Sequence, residues 1–182
     1  MSAGSSDLRL RQYRPEDFDD IRSWIGDRRT HAFWCAGRFR FPPEPEDFRQ
    51  VLARAAESAG EAPFTAELAG KAAGFFCWSA DRETNAGKLR FVVLDPALRG
   101  RGLGQALLRL ALRHAFGEWG AETVLLSVFP ENLRAKRCYE AVGFRELSTA
   151  EGVFTLGEER WGRCSMGIRK EDFERTREPE RP

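Results

Sequence analysis

A glycine-rich stretch, Arg99 to Gly104 (RGRGLG), combines residue types that bind phosphate. The apolar run FVVLDP precedes it, and a long segment with apolar residues at helical spacing follows it. Glycine is unfavourable in a helix interior, so bare backbone here needs another explanation. A glycine loop between a strand and a helix exposes backbone N–H groups beside the positive end of the helix dipole. The stretch therefore indicates a site for a phosphate-bearing ligand.

Two common phosphate-binding patterns do not fit this stretch. The dinucleotide pattern G-x-G-x-x-G/A requires glycine or alanine where Gln105 or Leu107 stands, depending on whether it starts at Gly100 or Gly102. The P-loop pattern requires a lysine after its last glycine, and none follows here. Neither a dinucleotide nor a nucleoside triphosphate is favoured.

A third pattern, R/Q-x-x-G-x-G/A, fits with its arginine at Arg99 and also one step later at Arg101. Further along, SVFPENLRAKRCYEAVGFRE contains the pattern N-x-x-A-x-x-x-Y-x-x-x-G-F. The residues that spell this second pattern are Asn132, Ala135, Tyr139, Gly143 and Phe144. The two segments, in this order and separated by one predicted helix and one predicted strand, resemble motifs of the GNAT acyltransferase superfamily. We prefer the earlier register, because its distance from Asp95 and Pro96 resembles the strand-to-loop distance of that family.

The resemblance extends from about Leu8 to Ile168 and is loose over the first 60 residues. It implies one α+β domain, residues 7–170, with a twisted, mainly antiparallel sheet flanked by about four helices. The sheet is expected to splay between its fourth strand, KLRFVVLDP, and its fifth, TVLLSVF. Residues 1–6 and 171–182 are predicted to be flexible termini.

The same resemblance implies that acetyl-coenzyme A is bound as a co-substrate, without a metal. The cofactor arm is expected to pair with strand backbone at Val92, Val93 and Leu94, and to contact Asn132. The pyrophosphate is expected on the glycine loop, formed by Arg99, Gly100, Arg101, Gly102, Leu103 and Gly104. The arginines of this loop either pair with the phosphates or are solvated.

The implied reaction is direct attack of a primary amine on the thioester in a ternary complex, without a covalent enzyme intermediate. The resemblance makes Tyr139 the general acid that protonates the leaving thiolate, and the competing interpretation is an aromatic residue packed on the core. A strand N–H near Val92 or Val93 would stabilise the carbonyl oxygen. Members of the family often carry a carboxylate on the fourth strand, and Lys88 to Leu94 contains none.

The general base is therefore open. Glu67 is our choice, and His31, Glu131 or a chain of waters are alternatives. For the acceptor, the resemblance indicates a small molecule or a peptide or protein N-terminus, bound by the aromatic residues Trp24, Phe33 and Trp34. Glu158 and Glu159 either attract the amine or solvate a turn. A non-catalytic acyl-coenzyme A sensor or regulatory module is the other class that fits.

Residue patterns along the chain predict the elements that position these groups. A helix starts near Arg14 with proline and acids in its first turn, and a second runs from Glu46 to Ser58. Another follows the glycine loop from Gln105, and Asn132 is a good N-cap for the last. The segment THAFWCAGRFRFPPEPEDF is aromatic, rich in proline and expected to be irregular.

Composition excludes some partners. The chain has 29 basic and 28 acidic residues, which argues against nucleic acid. No apolar run approaches membrane-spanning length, and the start of the sequence lacks the apolar core of a signal peptide. The four cysteines show no metal-binding spacing, so we expect reduced thiols in a cytoplasmic monomer or homodimer.

Overall fold

Seven strands form one sheet in the computed structural model, which describes residues 8–176. They are β1 (Leu8–Gln12), β2 (Ala62–Leu68), β3 (Lys71–Asp81), β4 (Ala86–Leu94), β5 (Thr123–Val128), β6 (Arg145–Leu156) and β7 (Glu159–Arg169). Their order across the sheet is β1-β2-β3-β4-β5-β7-β6. Every neighbouring pair is antiparallel except β4 and β5, which are parallel. The mainly antiparallel α+β architecture expected from the sequence is confirmed.

The parallel pair is short, and this shapes the centre of the sheet. β4 and β5 are in register only from Ala86 opposite Thr123 to Lys88 opposite Leu125. Beyond Lys88, β4 continues to Leu94 along β3, while β5 pairs with β7 up to Val128. The predicted splay between the fourth and fifth strands is therefore confirmed, and it opens a gap in the middle of the sheet.

Six α-helices are found among residues 8–176 where about four were predicted. They are α1 (Phe18–Trp24), α2 (Arg28–Cys35), α3 (Pro45–Ala59), α4 (Leu103–Gly117), α5 (Leu133–Val142) and α6 (Lys170–Arg175). Short 3-10 turns precede α1 and the glycine loop. The four predicted helices correspond to α1, α3, α4 and α5.

The additional helices have local causes that the sequence patterns did not weigh. α2 covers part of the segment expected to be irregular, because Asp27 caps it by accepting a hydrogen bond from the Thr30 N–H at 2.8 Å. α6 lies within the predicted C-terminal flexible segment, and it is held to the core through Phe173, which is 2% exposed. The predicted flexible stretches 1–6 and 177–182 lie outside the described residues. Within residues 8–176, no helix is long and apolar enough to cross a membrane.

The helices cover both faces of the sheet. Apolar residues of α4, α5 and α6 form the larger core with one face, and residues of α1, α2 and α3 form a second, aromatic core with the other. Phe39, Phe48 and Trp34 stack in the second core at ring separations of 4.8 to 6.1 Å. The gap between β4 and β5 thus lies between two packed layers and reaches both.

Candidate active site

A cavity of about 720 Å³ occupies the gap between β4 and β5. Its wall contains the end of β4, the glycine loop, α5 and the first turns of α4 on one side, and α2 at the other end. Of the residues proposed from sequence, the cavity is lined by Phe33, Trp34, Val92, Val93, Leu94, Arg99, Gly100, Gly102, Gly104, Asn132 and Tyr139. Residues that are far apart in sequence therefore meet around one space.

The three glycines of the loop are there for different reasons. Gly100 and Gly102 have φ angles of +78° and +75°, a left-handed conformation that glycine adopts without strain. A Cβ atom at either position would meet no protein atom within 4 Å, so packing does not require glycine there. At Gly104 a Cβ atom would lie 3.3 Å from Cys138 Sγ, so this glycine lets α4 approach α5. Gly102 is also the N-cap of α4, so the N–H groups of its first turn have no side-chain cap.

Two arginines converge at this end of the cavity. Arg99 and Arg134 both line it, and they lie close enough to repel each other. Burial lowers the pKa of Arg99, and the charge of Arg134 lowers it further, because both effects disfavour the protonated form. Arg101 is exposed and Leu103 is buried in the core, so neither lines the cavity. The glycine-loop end thus combines bare backbone, a helix N-terminus and positive charge.

A β-bulge shapes the β4 wall of the cavity. Val93 pairs with Phe75, and Arg90 pairs with Cys77, so β4 has one residue more than β3 over this interval. Phe91 lies in the bulge with a φ angle of +53°, an uncommon value for a residue other than glycine. The buried Trp34 indole donates to the Phe91 carbonyl at 2.8 Å, which holds that carbonyl toward α2.

Past the bulge, backbone groups of β4 are left for a ligand. The Asp95 N–H donates to the Ala73 carbonyl of β3 at 2.8 Å, and Val93 pairs with Phe75 in the same register. Because the hydrogen-bonding groups of a strand alternate between its two sides, those of Leu94 and Val92 point away from β3. That side is the gap where β5 has diverged, so these groups can pair with an extended ligand.

Tyr139 and Asn132 reach the cavity from α5. Tyr139 is 9% exposed, and its ring packs edge-on against Phe144 at 5.9 Å. Burial raises the pKa of the Tyr139 hydroxyl above its usual value, so the phenol stays protonated. The Asn132 side chain caps α5 by accepting from the Ala135 N–H at 3.3 Å, and its amide N–H groups remain available for a ligand.

The other end of the cavity lies against α2, where Thr30, Phe33 and Trp34 line it. We call it the acceptor end, because Phe33 and Trp34 were proposed from sequence to bind the acceptor. Glu131, in the loop after β5, also lines it and accepts from the Gly162 N–H at 3.2 Å. Trp24 does not reach the cavity, because it is packed inside the aromatic core at 6% exposure. Trp24 is therefore withdrawn as a substrate contact.

Two of the candidate bases lie elsewhere. Glu67 accepts from Arg11 Nε at 2.8 Å on the β1–β2 side of the sheet and does not line the cavity. His31 lines a separate pocket of about 240 Å³ beside α2, and burial lowers its pKa. Glu159 is held by Arg29 and the Trp161 indole, outside the cavity. Glu67 is therefore withdrawn, and Glu131 is the sequence candidate that the fold brings to the cavity.

Several cavity residues were not singled out by sequence patterns. These are Thr30, Arg90, Gln105, Ser127, Arg134 and Cys138. For Arg134 a signal was available, since it follows the N-cap Asn132 by two residues and helix N-termini face the phosphate site. Arg90 had no such signal, because its ion-pair partner, Glu61, lies 29 positions away in the sequence.

A sheet that diverges beside a glycine loop and a buried tyrosine is the arrangement expected of an acyl-coenzyme A-dependent acyltransferase. Residues 12–144 match the profile of the Acetyltransferase (GNAT) family, and the chain belongs to this family. The fold agrees with that of spermidine N-acetyltransferase from Vibrio cholerae, solved in complex with CoA and spermine. The TM-score is 0.78 at 22% identity, over 92% of this chain and 98% of that one.

Curated relatives match over a shorter part of their length. A mycothiol acetyltransferase from Frankia casuarinae is 31% identical over 141 residues, which are 68% of this chain and 40% of that protein. One from Mycobacteroides abscessus is 48% identical over 58 residues, 32% of this chain and 19% of that protein. The chain thus spans less than half the length of these relatives.

Proposed function

We propose that the protein is an N-acetyltransferase that transfers the acetyl group of acetyl-coenzyme A to a primary amine of a small molecule or a peptide N-terminus. One observation carries the proposal: a single cavity joins the glycine loop to a buried tyrosine and to unpaired β4 backbone. Membership of the GNAT family supports it, as do relatives and a structural neighbour named as acetyltransferases. A cytoplasmic location is part of the proposal, and four unpaired cysteines are consistent with it.

The glycine-loop end suits the pyrophosphate of the co-substrate. At Gly102 the backbone approaches the cavity without a side chain, and the N-terminus of α4 supplies a positive dipole end. Arg99 and Arg134 add charge that an anion would relieve, since they repel each other. The backbone groups of Val92 and Leu94 would pair with the amides of the pantetheine arm. Arg99 rather than Arg101 lines the cavity, which favours the earlier register of the glycine motif.

The bound co-substrate supplies a thioester, whose C–S bond breaks as the amine nitrogen bonds to the carbonyl carbon. In our proposal the Val92 N–H stabilises the developing negative charge on the carbonyl oxygen, since Val93 is paired with β3. Tyr139 donates a hydrogen bond to the departing sulfur. Because burial raises the pKa of Tyr139, full transfer of its proton to a thiolate is uphill, and the proton released by the amine completes the thiol.

The acceptor amine must be neutral when it attacks. An α-amine with a pKa of about 8 is partly neutral at pH 7, so a strong base is not required for it. Glu131 is the only carboxylate lining the cavity within residues 8–176, and we propose that it binds the ammonium form of the incoming acceptor. Glu67, the base proposed from sequence, does not line the cavity and has no part in this proposal.

Release of coenzyme A thiol from acetyl-coenzyme A, measured over a panel of primary amines, tests the proposal. We expect kcat/KM to rise with pH as the acceptor loses its proton. No decrease due to Tyr139 is expected below about pH 10, because a raised pKa keeps the donor protonated. Tight binding of acetyl-coenzyme A without turnover of any amine would contradict the proposed acetyltransferase activity. It would instead favour a non-catalytic acyl-coenzyme A sensor.

A further inference from the structure

Arg90 lies on the fourth strand, where the resemblance implies that family members often carry a carboxylate and where this chain has none. It lies directly before the bulge and lines the cavity, with 28% of its side chain exposed. Its guanidinium also lies over the Phe91 ring, 5.0 Å from the centroid. The acceptor end of the cavity therefore presents a cation on β4.

A buried carboxylate fixes this cation in place. Glu61, which lies between α3 and β2, has a side chain that is 1% exposed, and its Oε2 accepts from Arg90 Nη1 at 3.0 Å. Across residues 8–176, Glu61 Oε1 is the one buried side-chain oxygen or nitrogen atom without a hydrogen-bond partner. The thiol of Cys77, which pairs with Arg90 across β3 and β4, also interacts with Glu61. Burying a carboxylate with so few partners is costly, and an apolar pair of similar volume is often as stable or more so. The pair is therefore weak evidence for a purely stabilising role.

The geometry leaves Arg90 able to bind a second anion. A guanidinium has five N–H donors in a rigid fork, and Glu61 takes one of them here. A planar fork binds carboxylate or phosphate oxygens with two parallel hydrogen bonds. Glu61 is almost fully buried, whereas Arg90 is partly exposed and lines the cavity, so a cavity ligand can reach donors that Glu61 does not use.

Charge at the acceptor end selects among amines. The other two cavity-lining arginines, Arg99 and Arg134, belong to the glycine-loop end. At the acceptor end Arg90 is accompanied by the single carboxylate of Glu131. A polyamine carries several ammonium groups, for which one carboxylate is too few and which Arg90 would repel. An acceptor with one amine and one anion matches one carboxylate and one arginine.

We infer that Arg90, positioned by Glu61, binds an anionic group of the acceptor, so that the acceptor is a small amine carrying a carboxylate or a phosphate. The inference rests on the proposed acetyltransferase function and names its substrate class. Glu131 receives the amine end of the same molecule. Glu61 holds the guanidinium of Arg90 in one orientation at the cavity wall, and this positioning explains why a carboxylate is buried there.

Matched acceptors test the inference. Thiol release is measured with phenylalanine and phenylalaninamide, with phosphoethanolamine and ethanolamine, and with spermidine, and kcat/KM is expressed per neutral amine. We expect the anionic member of at least one pair to exceed its partner by about tenfold or more, the value of a charged hydrogen bond. The first pair reports a carboxylate and the second a phosphate. Equal rates within both pairs, or a higher rate with spermidine, overturn the inference but not the proposed acetyltransferase function. No turnover with any of these amines contradicts both.

Variants locate the effect. Removing Arg90 alone would leave Glu61 buried and unpaired, so the test uses the double variant Glu61→Gln/Arg90→Gln. The preference for the anionic member should fall to about one, mainly through its KM, because a binding contact is lost. The matched control Glu46→Gln/Arg49→Gln removes an exposed ion pair on α3 and should keep the preference.

If the double variant does not unfold cooperatively, Arg90→Lys replaces it. Lysine keeps a cation beside Glu61 and removes the planar fork. The preference should then fall by about threefold or more, in keeping with loss of one of two parallel hydrogen bonds. An unchanged preference in either folded variant overturns the inference.

Discussion

The two ends of the cavity are built from different parts of the chain and from different atoms. The glycine-loop end uses mainly backbone from Arg99 to Gly104 and the adjacent N-terminus of α4. The acceptor end uses side chains of α2, β4 and the loop after β5. A site made of backbone can be encoded by one short segment, whereas a site made of side chains needs several elements in register. The first end is therefore visible as a motif and the second is not.

The ends also differ in how their charges are balanced. Arg99 and Arg134 both line the glycine-loop end and repel each other, and an anionic ligand would relieve this repulsion. At the other end Arg90 already has a partner in the buried Glu61. Removing charge should therefore weaken ligand binding at the first end, and at the second it should also disturb the protein interior.

Tyr139 lines the cavity, and its substitution should have the largest effect. Tyr139→Phe removes the hydroxyl and keeps the ring that packs on Phe144. We expect kcat to fall by about 10²- to 10³-fold, the usual effect of removing one hydrogen-bond donor to charge that develops in the transition state. The dissociation constant of coenzyme A should change little, because in our proposal the glycine loop, the β4 backbone and the nearby arginines bind it. Steady-state kinetics and calorimetry measure the two quantities.

Tyr13, the other tyrosine of the sequence, provides the control. It packs against Phe48 in the aromatic core and does not line the cavity. Tyr13→Phe should leave kcat near the wild-type value. If Tyr139→Phe also left kcat unchanged, Tyr139 would have only the packing role that was the competing interpretation.

Gly102→Ala is the second test and concerns the glycine-loop end alone. A methyl group facing the pyrophosphate site should weaken coenzyme A binding by about tenfold or more, because it displaces close backbone contacts. Gly120→Ala is the matched control. Its φ angle is +70°, a Cβ atom there also meets nothing within 4 Å, and it does not line the cavity.

Both alanine variants carry the same backbone strain, about 1 kcal/mol. Their melting temperatures should therefore fall together, while only Gly102→Ala loses affinity for coenzyme A. Equal affinity in the two variants would mean that the loop does not hold the pyrophosphate as we propose.

Trp34→Phe should have the smallest effect on turnover and tests the acceptor end. It leaves the Phe91 carbonyl without its indole donor, which should cost about 1–3 kcal/mol of unfolding free energy. Turnover should fall by about tenfold or less, because the bulge positions the strand N–H groups. Denaturant unfolding and kinetics measure the two effects.

Trp161→Phe is the comparison for that variant. The Trp161 indole donates at 2.9 Å to Glu159, whose side chain is 53% exposed, so water can replace the lost donor. The hydrogen-bond loss should cost less there. Equal destabilisation together with normal turnover in Trp34→Phe would show that the bulge does not depend on the indole.

Prediction from sequence succeeded where the signal was local. The cap at Asn132 and the strand before the glycine loop both follow from neighbouring residues. α2 was missed because its N-cap, Asp27, lies just outside the aromatic segment on which the prediction rested. α6 was missed because its stability comes from burying Phe173 in a core that the sequence does not display.

The candidate site divides in the same way. Gly100, Gly102, Asn132 and Tyr139, proposed from the motif resemblance, all line the cavity, since each belongs to a short segment whose pattern is visible in the sequence. Trp24 and Glu67 were misplaced because side-chain type says nothing about which face of the fold a residue occupies. The fold buries Trp24 among aromatic rings and pairs Glu67 with Arg11.

By itself, the sequence identified the family through its two motifs, four of the helices, and the glycine loop for which we propose the pyrophosphate, because motifs, caps and glycine loops are formed by neighbouring residues. Only the tertiary structure decided which side chains line the far end of the cavity. Glu61 and Arg90 are 29 positions apart in the sequence. They touch because the sheet places the start of β2 and the middle of β4 close together, on either side of β3. Their contact depends on strand order and on the bulge, and neither is a property of any short segment.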